Sequence, residues 1–170
     1  YHNFHKKRED VITLYHKAYE LLKNSDSPKL MPDLCANLGD AYVFDNDLPK
    51  AALWYRKALF IADSLQLPKV QNASLYMGLG RIYLLLEDFE ASLNCYQQTE
   101  KSFSDLSLNL QAYFLNNYGN YYYYTKDYQT SLKKFLMLKK LLEKHDKRET
   151  FSMYLCKLNL ADIYLNLNQL

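Results

Sequence analysis

Glycine and proline are scarce in this sequence: four of each in 170 residues, where average usage would supply about 20 together. Few turns and long helices follow from that shortage. Cysteine is equally thin, with three residues at 35, 95 and 156 and no C-x-x-C pair. That spacing argues against a disulfide framework and against a structural zinc site. No apolar run approaches the ~18 residues that would insert into a bilayer. Neither sign of charge dominates, since 21 Lys and Arg face 19 Asp and Glu for a formal +2. With those charges scattered rather than gathered into a stripe, nucleic acid is not an expected partner of this segment.

Catalytic signatures are missing as well. There is no G-x-G-x-x-G and no G-x-x-x-x-G-K, and the two glycines of MGLGR at 77–81 fall within a helical pattern rather than at a strand-to-helix turn. His2 and His5 are three apart but lack a third ligand, so they read as solvated terminal histidines. His16 and His145 read as surface histidines on polar helix faces, and the three thiols as buried and inert. Asn72, though formally a glycosylation acceptor, reads as a helix N-cap. The expectation is therefore a non-enzymatic chain with no catalytic residue, no metal and no cofactor. Unpaired thiols favour a reducing, cytoplasmic setting; a periplasmic one fits a chain that is part of a membrane sensor. The start at Tyr1 and the unfinished pattern at Leu170 read as a piece of a longer protein.

What is abundant is tyrosine, 17 residues against a single Trp, and it recurs in phase. Leu38-Gly39 with Tyr42, Leu79-Gly80 with Tyr83, Tyr118-Gly119 with Tyr122, and Leu160-Ala161 with Tyr164 repeat one pattern, the small residues being 41, 39 and 42 apart. An acidic residue followed by a large apolar one comes next, at Asp47-Leu48, Asp88-Phe89 and Asp127-Tyr128. A second helical pattern follows, with small residues Ala51, Ser92 and Ser131 and aromatics Tyr55, Tyr96 and Phe135. The aspartates stand where a second helix must begin and can accept its first free amide hydrogens. Pro49 falls in that first turn, where a missing donor costs nothing. A small residue lets two helices approach closely, and the Tyr three positions on lies one turn along the same face.

This phased recurrence resembles the tetratricopeptide repeat, a helix-turn-helix unit with small residues where helices A and B cross and aromatics on both. The period, near 40 rather than ~34, resembles the longer-repeat variant found in bacterial regulators. The resemblance implies an all-α fold, a right-handed superhelical solenoid of antiparallel helix pairs with about eight helices. The expected layout is one array over 1–170: a B helix at 4–23, repeats at 29–65, 70–103 and 107–145, and the A helix of a further repeat at 148–167. Gly39, Tyr42, Gly80, Tyr83, Gly119, Tyr122, Ala161 and Tyr164 are its structural positions.

In such an array the A helices line a groove that suits an extended peptide or a partner helix. One place after the small residue stand Asp40, Arg81, Asn120 and Asp162; two places before it stand Asn37, Gly78, Asn117 and Asn159. A side-chain amide both donates and accepts, so an asparagine column can grip a peptide backbone; equally, each Asn can bond a neighbouring helix and fix packing. Within the run Tyr121 to Tyr124, phase puts Tyr122 in the core and Tyr123 or Tyr124 towards the groove. The implied function is a protein or peptide interaction module, the sensory or regulatory segment of a larger bacterial signalling or transcription-regulating protein. Two alternatives stay open: an assembly array that self-associates through its ends, as a homodimer for example, and a small-molecule sensing domain.

Overall fold

The computed structural model describes residues 2–147 and 150–168, with side chains from Asp10 onward. His2 and His5 therefore lie outside the described side chains. Eight α-helices occur among the described residues: α1 (His2–Lys23), α2 (Met31–Phe44), α3 (Leu48–Ser64), α4 (Lys69–Leu85), α5 (Phe89–Glu100), α6 (Leu108–Tyr124), α7 (Tyr128–Lys144) and α8 (Phe151–Leu167). No strand is present among them.

Turns between paired helices are built by chemistry visible in the chain. Asp47 Oδ1 accepts from Lys50 N at 3.2 Å, Asp88 Oδ1 from Ala91 N at 3.1 Å and Asp127 Oδ1 from Thr130 N at 3.0 Å. Each carboxylate thus satisfies one of the four orphan donors of a helix N-terminus. The Lys50 side chain, hydrogen-bonded to Asp47, also holds that carboxyl below its ordinary range. The residue before each aspartate, Asn46, Glu87 or Lys126, is left-handed, with φ of 62°, 59° and 63°. That conformation ends one helix and aims the chain back along it.

Two connections differ from the spacing. Helix α5 stops at Glu100, and a 3-10 turn at Phe103–Asp105 precedes α6. The amide of Gln111 donates to the carbonyls of Phe103 and Leu106, both at 3.1 Å, and so secures this turn. Helix α4 begins at Lys69 with Pro68 as its N-cap. Asn72 is therefore not the cap; it lies inside the first turn, and its Nδ2 donates to Asp63 Oδ1 at 2.8 Å.

The chain divides into two compact units, Tyr1–Glu100 and Lys101–Leu170. In the first, α1 to α5 pack around Leu38, Tyr55, Ala58, Leu79 and Ile82, all buried. In the second, α6 to α8 pack around Phe114, Phe135, Leu138, Met153 and Ile163, each no more than 1 % exposed. The small residues mark the closest helix contacts. Ser92 Oγ donates to the Gly80 carbonyl at 2.8 Å, and Ser131 Oγ repeats this on Gly119 at 2.9 Å. A hydroxyl twelve positions after each glycine thereby pins helix B to helix A, with both groups buried, where an unmade hydrogen bond would be costly.

Candidate functional site

In the first unit the glycines of α2 and α4 make room for one ring. Tyr55 of α3 is 6 % exposed, with its Cδ2 and Cε2 edge against Gly39 and its Cε1, Cζ and hydroxyl against Gly78. A Cβ on Gly39 would stand 2.7 Å from Cε2, and one on Gly78 2.7 Å from the phenol oxygen. Gly78 interrupts the asparagine column because Tyr55 already fills the volume a side chain there would need. Through this slot the Tyr55 hydroxyl donates to Asp40 Oδ1 at 2.9 Å. Arg81 of α4 reaches the same oxygen with Nη2 at 3.4 Å. Asp40 thus ties α2, α3 and α4 together, and Arg81 is turned towards it with its Nε buried and unpartnered. Both side chains remain roughly a third or more exposed, so the ion pair itself contributes on the order of 0 to 1 kcal/mol. Asn37 is exposed beside this cluster.

The second unit arranges its residues differently. Asn117 is only 7 % exposed and donates to the Tyr113 carbonyl one turn back on its own helix at 2.8 Å; its amide is spent on α6. Asn120 and Asn159 are half-buried on α6 and α8. Tyr123 accepts from Asn166 Nδ2 of α8 at 3.3 Å, and its ring meets those of Tyr124 and Tyr128 edge-on. Tyr124 is 64 % exposed, and Asp162 is exposed as well. The four expected column positions therefore separate into an exposed Asn37, a filled-in Gly78, a self-bonded Asn117 and a half-buried Asn159.

The tyrosine run also resolves one position away from its expected phase. Tyr121 is the buried member at 6 % exposure, while Tyr122 is half-buried and donates to the Tyr118 hydroxyl at 3.1 Å. Tyr42 is buried and Tyr83 half-buried. On α8, Ala161 and Tyr164 are exposed, because no described helix follows α8 to cover the face that carries them.

Comparison with known proteins bears on what this arrangement is. Residues 73–99 match the family model described as tetratricopeptide repeat. That segment spans most of α4, the turn at Asp88 and most of α5. No curated protein matches. Among solved structures, BtubC (BKLC) from P. vanneervenii superposes with a TM-score of 0.84 at 20% identity, covering 98% of this chain and 68% of that one. A putative kinesin light chain from Podosopora anserina with nearly identical TPR-like repeats gives 0.78 at 13% identity over 97% of this chain and 81% of its own. These likenesses establish a tetratricopeptide-like solenoid fold.

The three thiols are held protonated by burial. Burial pushes the Cys35 thiol up to about 11, Cys95 to about 12 and Cys156 to about 11. A thiol must ionise to attack or to bind a metal, so all three stay protonated and unreactive at neutral pH. Folded protein at pH 8 should take up no iodoacetamide within minutes, whereas denaturation should expose three sites by mass spectrometry; rapid labelling of the native state would contradict this burial. His16 is half-buried rather than fully solvated: its Nε2 lies 2.9 Å from the Tyr42 hydroxyl, and its ring packs edge-on against Trp54 at 5.3 Å. Sequence phase could not show that, since the single Trp has no counterpart in other repeats. His145 is exposed at the end of α7. No helix among the described residues is long and apolar enough to cross a membrane.

Proposed function

We propose that this chain is a protein-interaction module in which the A helices receive an extended peptide or a partner helix, and that it serves as the sensory or regulatory segment of a larger bacterial signalling or transcription-regulating protein. The observation that carries the reading is on α6 and α8. The side-chain amides of Asn120 and Asn159 have no hydrogen bond among the described residues, and the largely exposed Tyr124 ring lies on the same helix as Asn120. Free amides supply paired donors and acceptors for a peptide backbone, and an exposed aromatic supplies the rigid anchor typical of interaction hot spots.

The test is selection of binders from a random peptide library on the intact chain, followed by affinity measurement on variants. Tyr124→Ala should weaken a selected peptide by roughly 2 kcal/mol, about 30-fold. Asn120→Ala with Asn159→Ala should weaken it by ~1 to 3 kcal/mol in total while leaving the melting temperature within a few degrees of wild type. Peptides that bind both variants unchanged would remove this face as the site.

A second reading rests on α8, where Phe151, Tyr154, Leu158 and Leu165 are each between 46 % and 75 % exposed. A contiguous apolar face of this kind favours association, and a concentration-independent monomer in light scattering would remove it.

A further inference from the structure

The second unit contains a cleft that the peptide reading does not use. It lies between the N-terminal halves of α6 and α8, is floored by the end of α7, and has a volume of about 440 Å³. That is within the range of ~300 to 1,000 Å³ usual for small-ligand sites, which combine apolar walls with few polar groups. Its apolar surfaces come from Ala112 on α6, Leu138 and Leu142 on α7 and Leu155 on α8. Ala112, Leu138 and Leu142 belong to the buried core, so the floor is fixed by packing rather than by loop conformation.

Among the described residues the rim is polar and carries one sign of charge. Lys147 is the only charged residue among the described lining residues, and no carboxylate accompanies it there. Its ammonium has no ion-pair partner among the described residues. Its backbone is held in place on both sides: Lys147 N donates to the Leu142 carbonyl at 2.8 Å, and Thr150 Oγ1 donates to the Lys147 carbonyl at 2.7 Å. The amide of Asn116 faces the same opening.

We propose that this cleft binds an anionic amphiphile, a monocarboxylate with an apolar body of the medium-chain fatty acid class, with its tail on Leu138, Leu142 and Leu155 and its carboxylate at Lys147. The tail gains by leaving water. The head gains a charge-assisted hydrogen bond at the mouth, where both ions stay partly solvated and neither bears the cost of full burial. An ammonium head of the same tail length would meet Lys147 with like charge.

Isothermal titration of the intact chain with decanoate, kept below the concentration at which it micellises, tests the assignment. One saturable site per chain is expected. Lys147→Gln should weaken it about two- to fivefold, as an exposed ion pair allows. Ser152→Trp, at an exposed rim position, should obstruct the opening and weaken it tenfold or more, with an unchanged melting temperature showing that the fold is kept. Decylamine should bind at least tenfold less tightly than decanoate. Absence of saturable binding, wild-type affinity in either variant, or equal affinity for decylamine would each overturn the proposal, the last by reducing it to adsorption on apolar surface.

Discussion

Tyr55→Ala is expected to destabilise the first unit by about 3 to 5 kcal/mol, the range for removing a large buried aromatic, read as a fall in the urea midpoint without a change in slope. The expectation is at the upper end because the ring contacts two helices at once. With it gone, Gly39 and Gly78 cannot fill the void, since neither has a side chain to move into it. Tyr55→Phe separates the ring from its hydroxyl: Asp40 keeps Arg81 at 3.4 Å, so the loss should be only ~0.5 to 1.5 kcal/mol. A double-mutant cycle gives the sharper measurement. Gly78→Ala in the wild-type background would drive a methyl into the ring and cost roughly 1 to 3 kcal/mol. In the Tyr55→Ala background the same change should be neutral or gain up to about 1 kcal/mol, the helix-propensity difference between Gly and Ala. Additive behaviour would mean that the ring and Gly78 do not share that space.

Gly119→Leu is expected to cost about 3 kcal/mol or more in the second unit, beyond the usual overpacking range, because its new atoms would meet Phe135 in a core with no slack. A Cβ alone would lie 2.7 to 3.0 Å from three atoms of that ring. Phe135 is fully buried, so it cannot rotate out to solvent. Hydrogen exchange should show the loss on α6 and α7. The contrast is Gly80→Ala, where the nearest atoms would be at 3.1 to 3.2 Å. Small adjustments suffice there, and the helix-propensity gain of ~1 kcal/mol offsets them, giving a nearly unchanged midpoint. Equal damage at Gly80 and Gly119 under alanine substitution would contradict the difference in their surroundings.

Legibility in the sequence followed the range of each physical cause. Aspartate caps act within four residues, and all three were readable because the donor, the acceptor and the turn lie in one short segment. Glycines at 39, 80 and 119 were readable because close crossing of paired helices demands a small residue at a fixed phase. Gly78 was not, because the reason for it is a ring on a different helix 23 residues earlier. The exchange of roles between Tyr121 and Tyr122 is a matter of one helical position, about 100° of rotation, and four tyrosines in a row give hydropathy nothing with which to choose. Asn117 looks identical in sequence to an asparagine that offers its amide outward; its bond to Tyr113 O depends on a side-chain rotamer. Ala161 and Tyr164 carry the repeat pattern faithfully, yet pattern alone does not say whether a neighbouring helix is there to cover them.

The Tyr55 slot has a consequence for how such chains can be recombined. The ring belongs to one repeat by sequence and to two by contact, since Gly39 precedes it and Gly78 follows it in the next copy. Cutting between repeats at the α3 to α4 junction would separate a lock from half of its key. A cassette that shuffles successfully would have to begin inside one helix pair and end inside the next, carrying the Gly-Tyr-Gly triplet whole, so the natural module of exchange is displaced by half a period from the one the motif suggests.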